Sequence, residues 1–60
     1  MFKFELFNDR EGENFKKVYG YETKKEANKK IREIIKKFDL ERHAGHIVNY
    51  STGFEIHKQY

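Results

Sequence analysis

Apolar positions alternate at both ends of the chain and recur at helical spacing in between. Phe2-Lys3-Phe4-Glu5-Leu6-Phe7 has period two, with Phe2, Phe4 and Leu6 on one face and Lys3, Glu5 and Phe7 on the other. That is the pattern of a half-buried strand. Asn8 to Asn14 is polar, contains one glycine and reads as a hairpin loop. Phe15 to Tyr21 forms a second strand. Its odd positions, Phe15, Lys17, Tyr19 and Tyr21, are the more apolar and are placed inward; the reverse facing would expose Tyr19 and Tyr21 beside Lys17. Gly20 in its interior marks a bulge or a close backbone approach.

Thr23-Lys24-Lys25-Glu26 matches a capping box, with threonine at the N-cap and glutamate at the third helical position. From there Ala27, Ile31, Ile34, Ile35 and Phe38 fall on one helical stripe. The helix is expected to end near Phe38 or Asp39, with Leu40 on the opposite face. A short connection holding His43 and His46 follows. Ile47 to Tyr50 is a third strand, Ser51-Thr52-Gly53 a turn, and Phe54 to Tyr60 a fourth strand with Phe54 and Ile56 inward. The expected architecture is one α+β domain over residues 1–60: a two-layer ββαββ arrangement, with one helix on one face of a four-stranded antiparallel-type sheet.

Sixty residues with ten aromatics can build one small core, but leave little room for a deep pocket. The chain has no cysteine, which removes disulfides and thiolate metal sites, and no proline or tryptophan. No apolar run reaches the roughly 20 residues of a membrane span. No apolar segment of signal-peptide type follows the start, so a cytoplasmic protein is expected. The element order resembles the β-grasp-like plan of small immunoglobulin-binding domains, and also that of idealised designed α/β proteins. The likeness lies in the order of elements and in no diagnostic motif.

Charge changes the picture most. Residues 16–37 hold nine of the thirteen basic residues and only three acids, Glu22, Glu26 and Glu33, although the net charge of the whole chain is only +3. Glu26 precedes Lys30, and Glu33 precedes Lys37, by four residues, the favourable order for helical ion pairs. Lys25, Lys29, Arg32 and Lys36 form a separate, mostly unpaired stripe, suited to phosphate contact, although such stripes more commonly serve as solvated faces. A single helix leaves the far side of the sheet uncovered. Lys3, Phe7, Lys16, Val18 and His57 are expected there, with Glu5, Ile47, Glu55 and Gln59. Apolar groups among charges on a sheet suit protein docking, base stacking or ordinary cross-strand pairing.

Signals for chemistry are weak. His43, His46 and His57 lack cysteine or carboxylate partners at metal-ligand spacing, so no metal or cofactor is expected. Ser51 and Thr52 have no base placed beside them by the spacing, and Asp9, Glu11 and Glu13 cluster in a loop with nothing apolar to raise a carboxyl pKa. The chain reads as a non-enzyme. The favoured expectation is a protein-binding module or inhibitor, as small phage and mobile-element proteins often are, docking on a larger protein or nucleoprotein. The alternatives are a nucleic-acid binder using the basic stripe, and a designed or purely structural domain without ligand. A homodimer through the open face or the last strand is also consistent with the pattern.

Overall fold

The computed structural model describes residues 1–10, 12 and 14–60. The elements are β1 (Phe2–Asn8), β2 (Phe15–Tyr21), α1 (Lys24–Phe38), β3 (Glu41–His43), β4 (His46–Val48) and β5 (Phe54–Lys58). The five strands form one sheet in the order β2-β1-β5-β4-β3, with every neighbour antiparallel. This is an α+β fold with one strand more than the sequence pattern indicated.

The extra strand changes the topology. If β1 runs up, β2 runs down, the helix returns up, and β3, β4 and β5 run down, up and down. The last strand therefore lies antiparallel beside the first. With only two strands after the helix, the same path would have brought the last strand parallel to the first. The hairpin–helix–hairpin likeness thus holds for the first half of the chain and stops at β3. β2 and β3 are the two sheet edges. The crossing between them spans four interstrand steps, about 19 Å at the usual strand spacing. The 15-residue helix is long enough for this, at about 1.5 Å per residue or 22 Å.

The helix starts and stops where its capping residues dictate. Thr23 Oγ1 accepts a hydrogen bond from the Glu26 N–H at 3.2 Å. At the other end Asp39 takes a left-handed conformation, φ 56°, and both its N–H and that of Leu40 donate to Ile35 O. This is a Schellman-type ending. It folds Leu40 back into the core, where it is buried, rather than onto the opposite helix face as the 100° spacing implied. Helical spacing does not apply beyond the residue at which the backbone turns left-handed.

The core lies between the helix and one sheet face. Phe4, Leu6, Ala27, Ile31, Ile34, Leu40, Ile47 and Ile56 are buried, with Phe2, Tyr19, Tyr21, Ile35, Phe38 and Phe54 packed against them. Phe4 stacks on Tyr19 with centroids 4.9 Å apart, so the odd positions of β2 face inward as expected. β1 and β2 pair one to one along their length without a bulge. Gly20 instead marks a close approach: a Cβ there would lie 2.7 Å from Met1 Sδ. Ile47, expected outward, opposes Ile56 on the helix side and is buried. The histidine connection is itself a hairpin, β3–β4, closed by Ala44 and Gly45, both with positive φ.

Candidate functional site

Two surfaces carry the residues singled out by the sequence. The first is the outer ridge of α1. Lys25, Lys29, Arg32 and Lys36 are all exposed there, on the side of the helix away from Ala27, Ile31 and Ile34. None of the four is in a salt bridge among the described residues. The expected pairs at spacing four do not form. Lys30 Nζ instead lies 3.8 Å from Glu33 Oε1, a spacing of three. Lys30 also reaches toward the Tyr19 ring, which draws it down to the sheet. The four cations sit at successive turns with no acid of their own, so they repel one another and present a line of uncompensated positive charge.

The second surface is the uncovered face of the sheet. The registers place Lys3, Glu5 and Phe7 of β1 beside Gly20, Val18 and Lys16 of β2, and place Glu5 and Phe7 beside His57 and Glu55 of β5. Lys3, Phe7, Lys16, Val18 and His57 therefore share this face, as the alternation implied. Ile47 does not join them; Val48 does, between Glu41 and Glu55. The charges are cross-linked. Lys16 Nζ lies 3.5 Å from Glu5 Oε1, and Gln59 Nε2 donates to the same oxygen at 3.2 Å. His46 Nδ1 lies 3.9 Å from Glu55, and His43 Nε2 lies 2.8 Å from Glu41. Apolar groups stand among them: Phe7 is half-buried, and Val18 is 54 % exposed. A shallow depression of about 250 Å³ opens between Phe7, Phe15, Lys16 and His57.

Tyr50 belongs to this face as well. Its ring lies 5.5 Å from that of His43, and it is 67 % exposed. Sequence reasoning missed Tyr50 and Val48 because Ile47-Val48 offers two apolar residues in a row, so alternation alone gives no parity. The turn residues Ala44-Gly45, once recognised as a two-residue hairpin loop, would have supplied it.

The remaining candidates among the described residues lie apart or serve turns. His43 and His46 oppose each other across β3 and β4, and His57 shares their face. No group of three or more His, Asp or Glu among the described residues is arranged to hold a metal ion. Ser51 and Thr52 serve the β4–β5 turn, where their N–H groups donate to Asn49 Oδ1 at 2.8 and 3.0 Å. Asp9 is exposed, and Glu11 and Glu13 lie outside the described residues. No helix is long and apolar enough to cross a membrane among the described residues.

Comparison with protein-family models, with curated proteins and with solved structures finds no match.

Proposed function

We propose that the chain is a non-enzymatic protein-docking module, a binder or inhibitor of a larger protein or nucleoprotein, and that its open sheet face makes the contact. The observation that carries this reading is the composition of that face. Phe7, Val18 and Tyr50 stand among Lys, Glu and His side chains of both signs, most of them paired across strands. Apolar anchors ringed by mixed charge are the makeup of protein interfaces, where aromatic side chains carry most of the energy. The carboxylates of Glu5, Glu41 and Glu55 on the same face oppose a phosphate backbone.

The test is affinity capture with the tagged chain, its Phe7→Ala and Val18→Lys variants, and a Lys29→Glu/Arg32→Glu variant, with the bound protein identified by mass spectrometry. A specific partner retained at moderate salt, lost with the open-face variants and kept with the helix variant supports the reading. A partner indifferent to Phe7 and Val18 overturns it.

One observation favours a second reading, nucleic-acid binding through the helix. The four ridge cations are exposed and have no acidic partner among the described residues. Binding of an oligonucleotide pool that falls steeply with salt, and that Lys29→Glu/Arg32→Glu abolishes, would establish it in place of the first.

A further inference from the structure

The sheet has two free edges, and they are unequal. β3 offers three exposed residues, Glu41, Arg42 and His43, none of them aliphatic. β2 offers seven, Phe15–Tyr21. The last strand, β5, is interior and offers no edge for the dimer that the sequence pattern allowed. Exposed apolar residues gather along β2. Phe15 is 41 % and Val18 54 % exposed within the strand, and Met1, at 77 %, lies over Gly20. A long free edge with apolar side chains is a template for another strand.

We propose that β2 pairs with β2 of a second copy of this chain, antiparallel about a two-fold axis at Val18, to make one continuous sheet. The register argues for this occupant. Val18 is the midpoint of β2, so pairing about it uses the whole strand and sets Phe15 opposite Tyr21, Lys16 opposite Gly20, Lys17 opposite Tyr19 and Val18 opposite itself. Edge lysines ordinarily discourage such pairing. Here none meets a like charge. Lys17 already lies 5.2 Å from the Tyr19 ring of its own chain, and the paired strand offers it a second ring. Lys16 is held by Glu5 and faces the uncharged Gly20, over which Met1 lies. Sliding the register by two residues toward the start of the strand would set Lys17 against Lys17; sliding it the other way would leave strand residues unpaired.

The helix agrees with the same arrangement. A two-fold axis perpendicular to the sheet brings both helices to one side of it. The flank of α1 over β2 carries Glu26, Lys29, Lys30 and Glu33 beside Tyr21, two acids and two lysines, with Lys30 paired to Glu33. Lys25, Arg32 and Lys36 turn away from that flank by the helical spacing. The seam is therefore lined by both acids of the helix together with Lys29 and Lys30, and the other three unpaired cations stay clear of it. A single edge-strand pairing falls short of the roughly 1,200 Å² of a standard stable interface, so the dimer is weak and concentration-dependent. It leaves the open faces of both copies free on one joined surface.

Sedimentation equilibrium of the full chain over a wide concentration range tests this. The mass should rise from 7.3 kDa toward twice that value with concentration. Val18→Lys, which sets two charges on the axis, should weaken association at least tenfold. As the chain has no cysteine of its own, Val18→Cys should cross-link to itself with a short bis-maleimide, and His43→Cys on the β3 edge should not. A mass that stays at the monomer value into the millimolar range overturns the proposal. So does cross-linking through His43→Cys in place of Val18→Cys, or association that Val18→Lys leaves unchanged while circular dichroism shows the variant folded.

Discussion

Two asparagines join parts of the chain that are far apart in sequence. Asn8, at the end of β1, is buried; its Nδ2 donates to Thr52 O at 2.8 Å and its Oδ1 accepts from the Arg10 N–H at 3.0 Å. The Arg10 guanidinium continues the link, donating to Ser51 O and, at 2.7 Å, to Tyr50 O. Asn49 Nδ2 donates to Asp39 O at 2.9 Å while its Oδ1 receives the Ser51 and Thr52 N–H groups, which ties the helix end to the β4–β5 turn. Both use the donor and the acceptor side of the amide at once. Asn8→Ala should lower stability by about 1–3 kcal/mol, measured by urea unfolding, because it takes the partners from the part-buried bonds to Thr52 O and the Arg10 N–H. Gly53 is confined by the same cluster: its φ is 89° and a Cβ would lie 3.0 Å from Asn8 Oδ1. Tyr60 gives a pH prediction. Its hydroxyl donates to Asn28 Oδ1 at 2.5 Å, its ring packs edge-on against Phe2, and burial raises its pKa above the ordinary 10.0. A group with a raised folded pKa adds stability below its unfolded pKa and loses it as pH climbs through the folded one. The stability difference between the protein and Tyr60→Phe should therefore be constant at neutral pH and shrink above pH 10, read from urea midpoints.

At the scale of the element, the β3–β4 hairpin and the helix end carry the information that hydrophobic pattern lacks. Ala44 and Gly45 both have positive φ, 47° and 89°, the requirement of a type I′ two-residue turn. Alanine in the left-handed region costs on the order of 1 kcal/mol. Asparagine tolerates it and is the preferred residue at that position. Ala44→Asn should thus stabilise the fold by about 0.5–1 kcal/mol, seen as a rise in the thermal midpoint. No gain would mean that the turn is held by contacts other than its own backbone preference. At the helix end, Leu40 is both the Schellman residue and a core residue. Leu40→Ala should cost about 2–4 kcal/mol, the range for a buried leucine, although the helical stripe assigns that position to the solvent side.

Across the whole molecule, charge is divided by layer. The helix ridge carries Lys25, Lys29, Arg32 and Lys36, whereas the open sheet face mixes Lys3 and Lys16 with Glu5, Glu41 and Glu55. The ridge cations follow one another at spacings of three and four, and each such like-charge pair costs about 0.2–0.5 kcal/mol, screened by salt. Added sodium chloride should therefore stabilise the fold by roughly 1 kcal/mol in total. Arg32→Glu, which places an acid between Lys29 and Lys36, should stabilise it at low salt and remove most of that salt dependence. Stability that falls with salt would show that ion pairs such as Lys16–Glu5 outweigh the ridge. A cationic layer backed by a mixed-charge layer gives the two sides different partners to attract, which is why the two functional readings separate cleanly by variant.

The sequence by itself determined the first hairpin, the inward face of β2, the capped helix with its buried stripe, and the inward residues of β5. Each rests on a local cause: period two, period 3.6, or a capping side chain reaching its own backbone. The five open-face residues Lys3, Phe7, Lys16, Val18 and His57, and the four ridge cations, followed from those periods. Tertiary structure alone decided the rest. Glu41-Arg42-His43 has no apolar residue to mark it as a strand, and it is one only because β4 lies beside it. The parity of Ile47 and Val48 was set by pairing with Ile56 and Glu55. Leu40 was turned inward by a left-handed residue. That one added strand reversed the direction of β5 and made the sheet antiparallel throughout, while pairing of β5 with β1 placed the last strand in the interior and left β2 as the long free edge. Strand order depends on contacts between distant residues, and local periodicity carries no record of them.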